Sequence, residues 1–320
     1  MLYLDTKDIL TIGVGWLRIM NLMETAVRLM TSEQYEQPIK PYLHLDSGVN
    51  RIIAMPAFLG GGFNRAGIKW ISSFPGNHAK GLPRAHAITV VNCVTTGRPQ
   101  CLVNSTMLSG LRTAGVSALL LREALRARPR RKLEIGLIGC GMIGGLHIQM
   151  IKALFPEWIG TIHGYDLRPE AVEALAGFGV PFVNCRSWAE VIEDSDIVIT
   201  ATCSSTGYID TRPRPGAILL NISLRDFAPE FRPFADYIIV DSWEEVCRKN
   251  TDIERMHKKV GLTQKDTHSL AEVVVNDVLE KRGAESVVMF NPMGLAIFDI
   301  AIAGDYYEQA KASRVGLMLS

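Results

Sequence analysis

Leu133-Glu-Ile-Gly-Leu-Ile-Gly-Cys-Gly-Met-Ile-Gly144 is a short apolar run followed by three glycines spaced G-x-G-x-x-G. Behind it, from residue 143 to 154, apolar residues recur at helical spacing, so the stretch reads strand, tight turn, helix. In that setting Gly139 permits the turn, Gly141 lets the backbone approach a pyrophosphate, and Gly144 lets the helix pack close to the strand. The free N–H groups at the start of the helix offer donors to the anion.

Working outward, residues 160–165 form a second run that ends at Asp166, which lies 166 minus 139, or 27, positions after the first glycine. The usual spacing is about 20. A carboxylate there accepts hydrogen bonds from both ribose hydroxyls and repels a 2'-phosphate, which favours NAD over NADP. Arg168 leaves two readings open: it can attract such a phosphate, or it can turn to solvent. Downstream, a helix over 169–176, a strand over 180–183, another helix, and strands over 197–201, 217–222 and 237–240 keep the alternation going. Strands alternating with helices predict an α/β fold, a Rossmann-type doubly wound parallel sheet over residues 116–294.

Residues 1–115 lack that rhythm. Their strand-like pieces at 51–55, 67–71 and 87–91, with the loop Gly60-Gly-Gly62, predict a second, α+β domain, to which substrate binding falls and, as the resemblance named below implies, dimerisation. It is completed by residues 295–320, because the helix-compatible stretch 295–312 has no new strand to serve. Two crossings between domains would place a cleft beside the C-terminal edge of the sheet.

The chain has 34 Lys and Arg against 33 Asp and Glu, so no net field draws it to nucleic acid. At 320 residues, 48% hydrophobic and 21% charged, it is expected to form two well-packed domains, and disorder is excluded. The opening Met1-Leu-Tyr-Leu-Asp-Thr-Lys-Asp8 has acidic residues where an export signal carries positive charge. Apolar runs such as 287–290 and 295–298 stop well short of the roughly 20 residues of a spanning helix, so no membrane is expected. Cys93, Cys101, Cys140, Cys185, Cys203 and Cys247 are scattered without C-x-x-C, and the histidines show neither H-x-x-x-H nor H-E-x-x-H. Reduced thiols in a cytoplasm and no metal are expected.

Four cations are embedded in apolar sequence: Lys40, Arg51, Lys69 and Arg112. A single cation so placed usually sits at a strand end with its head in water. Four together predict a site for a polycarboxylate, which Arg can grip with two parallel bonds. Asn221-Ile-Ser-Leu-Arg-Asp226 follows a strand, which makes Asp226 the acid/base candidate; a loop Asp capping a helix is the alternative.

Taken together, the Gly-x-Lys at Lys69, Arg-Thr-Ala-Gly at Arg112, the glycine fingerprint, the loop ending at Asp226, and Met293-Gly294 with Asp299 resemble the ornithine cyclodeaminase/mu-crystallin family over essentially the whole chain. The resemblance implies that Lys69 and Arg112 bind a substrate carboxylate beside a nicotinamide, that Asp226 assists attack on an imine, and that the chain forms homodimers. The cofactor-binding set expected on these grounds is Arg84, Arg112, Gly139, Gly141, Met142, Ile143, Gly144, Asp166, Thr202, Cys203, Ser204, Ser223, Met293 and Gly294.

Two departures narrow the activity. Cyclodeaminases look like Val-Ile-Glu-Leu-Met-Pro where this chain has Arg51-Ile-Ile-Ala-Met-Pro56, so Ile53 stands in the place of the acid that meets ornithine's distal amine. Their Gly-Gly-Asp-Cys-Pro-Gly-Lys loop is replaced by Ser223-Leu-Arg-Asp-Phe-Ala-Pro229, which adds Arg225. With Gln37-Pro-Ile-Lys-Pro, Gly67-Ile-Lys-Trp-Ile and Asn291-Pro-Met-Gly, the chain looks much like one branch, the N-(2-amino-2-carboxyethyl)-L-glutamate dehydrogenases of 2,3-diaminopropionate synthesis for siderophores and antibiotics. The resemblance implies oxidation by NAD at the glutamyl α-carbon and hydrolysis to 2-oxoglutarate and L-2,3-diaminopropionate. Asp226 would take a proton, and Lys69 would lower the amine's proton affinity. The rivals are an imine reductase, an alanine dehydrogenase, a cyclodeaminase-like enzyme, and a non-catalytic NADPH-binding protein of the mu-crystallin type.

Overall fold

The computed structural model describes residues 1–320 without Glu33, Asp46, Ser47, Gly48, Ala127 and Arg130, and of His78 the backbone only. The described residues form two compact units, Met1–Gly115 with Gly294–Ser320, and Val116–Met293. Gly294 therefore groups with the first unit.

In the first unit the sheet runs Leu317–Met318, Leu2–Asp5, Pro99–Asn104, Ala85–Asn92, Arg65–Ser73, Asn50–Leu59, Tyr35–Glu36, with Tyr42–Leu45 also on Asn50–Leu59. Most pairs are antiparallel; Leu2–Asp5 runs parallel to Pro99–Asn104. Period-2 alternation selects the faces: Ala87, Thr89 and Val91 are buried, while His86 and Ile88 between them are exposed. Register carries the buried face across the sheet, since Met55 stands opposite Lys69 and Lys69 opposite Thr89. The helix Ala296–Ser313 lies against the three central strands and against the helix Trp16–Leu29. It is buried almost all round from Ala296 to Gly304, as a helix without a polar face must be. Asp299 is carried into that interior, where a charge needs partners.

The second unit has eight strands, all parallel, in the order Phe182–Asn184, Ile159–Tyr165, Leu133–Ile138, Ile197–Thr200, Ile218–Asn221, Val288–Asn291, Tyr237–Val240, Thr267–Ser269. The central strands Ile197–Thr200, Ile218–Asn221 and Val288–Asn291 are buried at every residue, as expected where both faces are covered. This is the doubly wound α/β sheet expected from the alternation of strands and helices. Its last strand inserts between two earlier ones, a placement no local pattern announces, because a buried four-residue run has no periodicity. The helix expected over 169–176 is a short turn, Pro169–Glu173, continued by the 3-10 segment Ala174–Phe178 and ended by Gly179 at φ +63°. The next strand accordingly starts later, at Phe182. No helix among the described residues is long and apolar enough to cross a membrane.

Candidate active site

The glycines of the fingerprint divide their work. Gly139 has φ +94°, and a Cβ there would meet the Ala201 carbonyl oxygen at 2.6 Å; a Cβ on Gly144 would meet the Gly139 oxygen at 2.4 Å. These two serve strand and helix packing. A Cβ on Gly141 would find nothing within 4 Å, so its bareness answers to no protein neighbour and leaves a cradle open. The helix Met142–Leu154 begins beside it with no side-chain cap, leaving its first N–H groups for an anion. Met142 is exposed and Ile143 half-buried at that turn.

Asp166 follows the strand Ile159–Tyr165 and is fixed against this turn: its Oδ2 accepts the Cys140 N–H at 2.9 Å and its Oδ1 the Arg168 N–H at 3.0 Å. The Arg168 side chain is 64% exposed, with Nε 3.6 Å from Asp166 Oδ1. It turns to solvent, paired to the acid that it follows. An open cradle, uncapped N–H donors and a fixed carboxylate suit a dinucleotide bearing free ribose hydroxyls.

At the ends of the adjacent strands, Thr202 accepts the Ser204 N–H at 3.1 Å and donates its own hydroxyl to Asp226. Cys203 is exposed. Asp226 has no exposed surface. Thr202 and Ser223 donate to it, and the hydroxyls of Thr200 and Tyr208 lie near it. Burial pushes its carboxyl up, against these hydroxyls, which favour the charged form. Thr202, Tyr208 and Ser223 are half-buried. Tyr208 carries no signal in the sequence, being one of several polar residues in a loop. Arg225 points elsewhere, donating to the Lys249 carbonyl at 2.9 Å. The Met293 N–H donates to Asp241 Oδ1 at 3.0 Å.

In the first unit three of the four singled-out cations come together. Lys69 Nζ lies 2.8 Å from Asp299 Oδ1 and donates to Ser109 Oγ at 3.1 Å, while Arg112 Nε donates to the same Oδ1 at 3.0 Å. Lys40 Nζ donates to the Gly294 carbonyl at 2.8 Å. A Cβ on Gly294 would meet the Arg112 guanidinium at 2.6 to 3.0 Å, and φ there is +83°, so only glycine lets the two approach. Lys40, Lys69, Arg112 and Asp299 are all buried. Burial draws Lys69 down to about 8, against the opposing pull of Asp299. Burial pushes the Asp299 carboxyl up, but Arg112 and Lys69 outweigh it and hold the group below the usual carboxylate range. Its Oδ2 is buried without a hydrogen bond. Two cations on one carboxylate, with buried Lys40 beside them, leave a surplus of positive charge in a desolvated place, which an incoming carboxylate would neutralise.

Arg51 is not in that group. It sits at the same face of the sheet but opposite Ser73, toward the strand end, with its guanidinium 5.9 Å from the Tyr42 ring centroid. Burial lowers its proton affinity, Tyr42 opposes this, and the nearby Arg84 adds to it. Ile53 pairs with Ile71 and Tyr42 in the sheet. Asp299 entered the sequence reading only through the family resemblance, since its partner Arg112 is 187 positions away. Among the described residues no three His, Cys, Asp or Glu side chains group so as to hold a metal ion.

Among proteins of known name, the chain is 29% identical to the N-((2S)-2-amino-2-carboxyethyl)-L-glutamate dehydrogenase of Staphylococcus aureus, covering 100% of this chain and 98% of that protein. The structure of an archaeal alanine dehydrogenase dimer with bound NAD superposes with a TM-score of 0.87 at 26% identity, covering 100% of this chain and 99% of the other. The Δ(1)-pyrroline-2-carboxylate reductase of Thermococcus litoralis, in complex with NADH and L-proline, shares the fold at a TM-score of 0.90 and 24% identity over the full length of both chains. Residues 11–314 match the pattern of one family, and both units lie largely within that span. The chain belongs to the ornithine cyclodeaminase/mu-crystallin family.

Proposed function

We propose that this chain is an NAD-dependent dehydrogenase of amino-acid CH–NH groups that converts N-(2-amino-2-carboxyethyl)-L-glutamate, NAD and water into 2-oxoglutarate, L-2,3-diaminopropionate, NADH and a proton. The observation that carries the reading is the buried surplus of Lys40, Lys69 and Arg112 over Asp299, with Arg51 and Arg84 further along the same unit. This substrate has three carboxylates and needs more cations than a monocarboxylate does. The name and full-length similarity of the Staphylococcus aureus relative agree with it.

In this reading the second unit holds the cofactor: Gly139, Gly141, Met142, Ile143 and Gly144 at the pyrophosphate, Asp166 at the ribose, and Thr202, Cys203, Ser204, Ser223 and Met293 along the strand ends. Bound NAD supplies the hydride acceptor. The first unit binds substrate, with Lys69 and Arg112 on the α-carboxylate and Lys40 and Arg51 on the others. A positive Lys69 beside the secondary amine lowers that amine's proton affinity, so more of it is neutral when its α-carbon is oxidised. The proton released when water attacks the imine passes to the Thr202 or Ser223 hydroxyl and comes to rest on Asp226, whose proton affinity burial raises.

The bare face of the first unit's sheet, with Trp70 and Ile88 exposed, is the surface we assign to a homodimer. Six free cysteines fit a reducing cytoplasm. The product would feed siderophore or peptide-antibiotic assembly. Purified protein incubated with NAD and the synthetic substrate, followed by NADH absorbance, tests the proposal; alanine, ornithine, proline and NADP run in parallel. NADH formed with this substrate alone, together with 2-oxoglutarate, is the expected result. Turnover of alanine or proline with silence on the tricarboxylate would overturn it in favour of the alanine dehydrogenase or pyrroline-carboxylate reductase activity of the structural relatives.

A further inference from the structure

The loop that carries Ser223 and Asp226 begins at Asn221, the last residue of its strand, and returns at Phe227. Both ends are held by one side chain that the proposed chemistry does not use. Asp252, the first residue of the helix Asp252–Val260, is fully buried, and its Oδ2 accepts Asn221 Nδ2 at 2.8 Å and the Phe227 N–H at 3.2 Å. Its backbone N–H donates to the Leu224 carbonyl in the middle of the loop, at 2.8 Å. Leu224 has φ +61°, a conformation that a leucine adopts only when its surroundings impose it. Its N–H donates to Asn221 Oδ1 at 3.1 Å. Arg255 pairs with the other oxygen of Asp252.

From Asp252 a line of hydrogen-bonding groups leads to Asp226. Asn221 Oδ1 accepts the Thr200 hydroxyl at 3.2 Å, Thr200 Oγ1 and Ser223 Oγ are 3.2 Å apart, and Ser223 donates to Asp226. Asn221 Nδ2 also donates to Asn291 Oδ1 at 2.7 Å, which ties the loop base to the inserted strand Val288–Asn291. Every group that meets the Asp252 side chain is a donor: the Asn221 amide, the Phe227 N–H and the Arg255 guanidinium. An acceptor with two oxygens is therefore what the loop is built around.

We propose that Asp252 is a positioning residue for proton transfer: by gripping both ends of the loop it fixes Asp226 and Ser223 in the geometry that receives the proton. The inference rests on the role given above to Asp226. It is tested by steady-state and single-turnover kinetics of Asp252→Ala, Asp226→Asn and the double variant, with NADH affinity read by fluorescence titration. Asp252→Ala is expected to lower kcat by up to about a hundredfold, as displacement of a positioned group does, with KM and NADH affinity little changed. In the Asp226→Asn background the same substitution should cost nothing further, because the group that it positions is gone. Equal losses in both backgrounds, or an unchanged kcat, would overturn the proposal. Asp252→Asn, which keeps an acceptor oxygen for Asn221 and Phe227, should recover much of the lost kcat, and it serves if the alanine variant does not fold. Full turnover by Asp226→Asn is a different failure: it removes Asp226 from the mechanism, and the inference with it.

Discussion

At the scale of the residue, Lys69 and Asp299 set each other's charge. Lys69 is buried beside Arg112 and within the field of Lys40, and the charge of Asp299 offsets the cost of keeping it positive. Its proton is held to about 8, so at neutral pH it is charged and ready for a carboxylate, and above that it begins to lose the charge. A bound carboxylate favours the charged form, so binding and protonation support each other. KM for a carboxylate substrate should therefore be flat below pH 8 and climb above it, approaching about tenfold per pH unit, while Lys69→Met removes the bend and weakens binding throughout. A KM that stays level through this range in the unaltered protein would show that Lys69 does not meet the carboxylate. The cations were legible because charges in apolar sequence stand out. The acid that holds two of them was not, because nothing local connects Asp299 to residues on another strand and another helix.

At the scale of the element, the turn from Leu133–Ile138 into Met142–Leu154 shows which glycines answer to the fold and which to a ligand. Gly144→Val drives a side chain into the Gly139 carbonyl and the Leu137 methyls and should destabilise the protein by about 1–3 kcal/mol, the usual cost of overpacking. Gly141→Val points into open space and should leave the melting temperature unchanged while weakening NADH binding by about tenfold or more, the loss of one good anion contact. Thermal unfolding and fluorescence titration of the two variants separate these effects; a Gly141→Val protein that binds NADH normally would move the pyrophosphate elsewhere. This element was readable in full from the sequence because everything that defines it lies within a dozen residues. The edge strand Thr267–Ser269 and the inserted strand Val288–Asn291 were not, since their places are decided by hydrogen bonds to strands far along the chain.

At the scale of the whole molecule, one face of the first unit's sheet presents apolar side chains at its surface among the described residues. Trp70 is 38% exposed and pairs across strands with Ile88, 36% exposed, beside half-buried Ile52, Ala54 and Ile68. Apolar surface of this kind is usually buried by association. If the proposed homodimer uses this face, Trp70→Glu should shift it to monomer in sedimentation velocity, because a charge directly opposite an apolar partner must be desolvated on association. A dimer that persists unchanged would place the interface on another surface. The alternation of the second unit, its fingerprint, the carboxylate at Asp166 and the family were all readable before any fold was known, because they depend on short-range spacing and residue type. Long-range folding alone brings Lys69 and Arg112 onto Asp299, with Lys40 on the Gly294 carbonyl and Arg51 apart, buries Asp226 against the Thr202 and Ser223 hydroxyls, and closes its loop with Asp252. Those arrangements are set by strand register and by buried side chains seeking partners across long stretches of chain, and neither leaves a mark in local sequence.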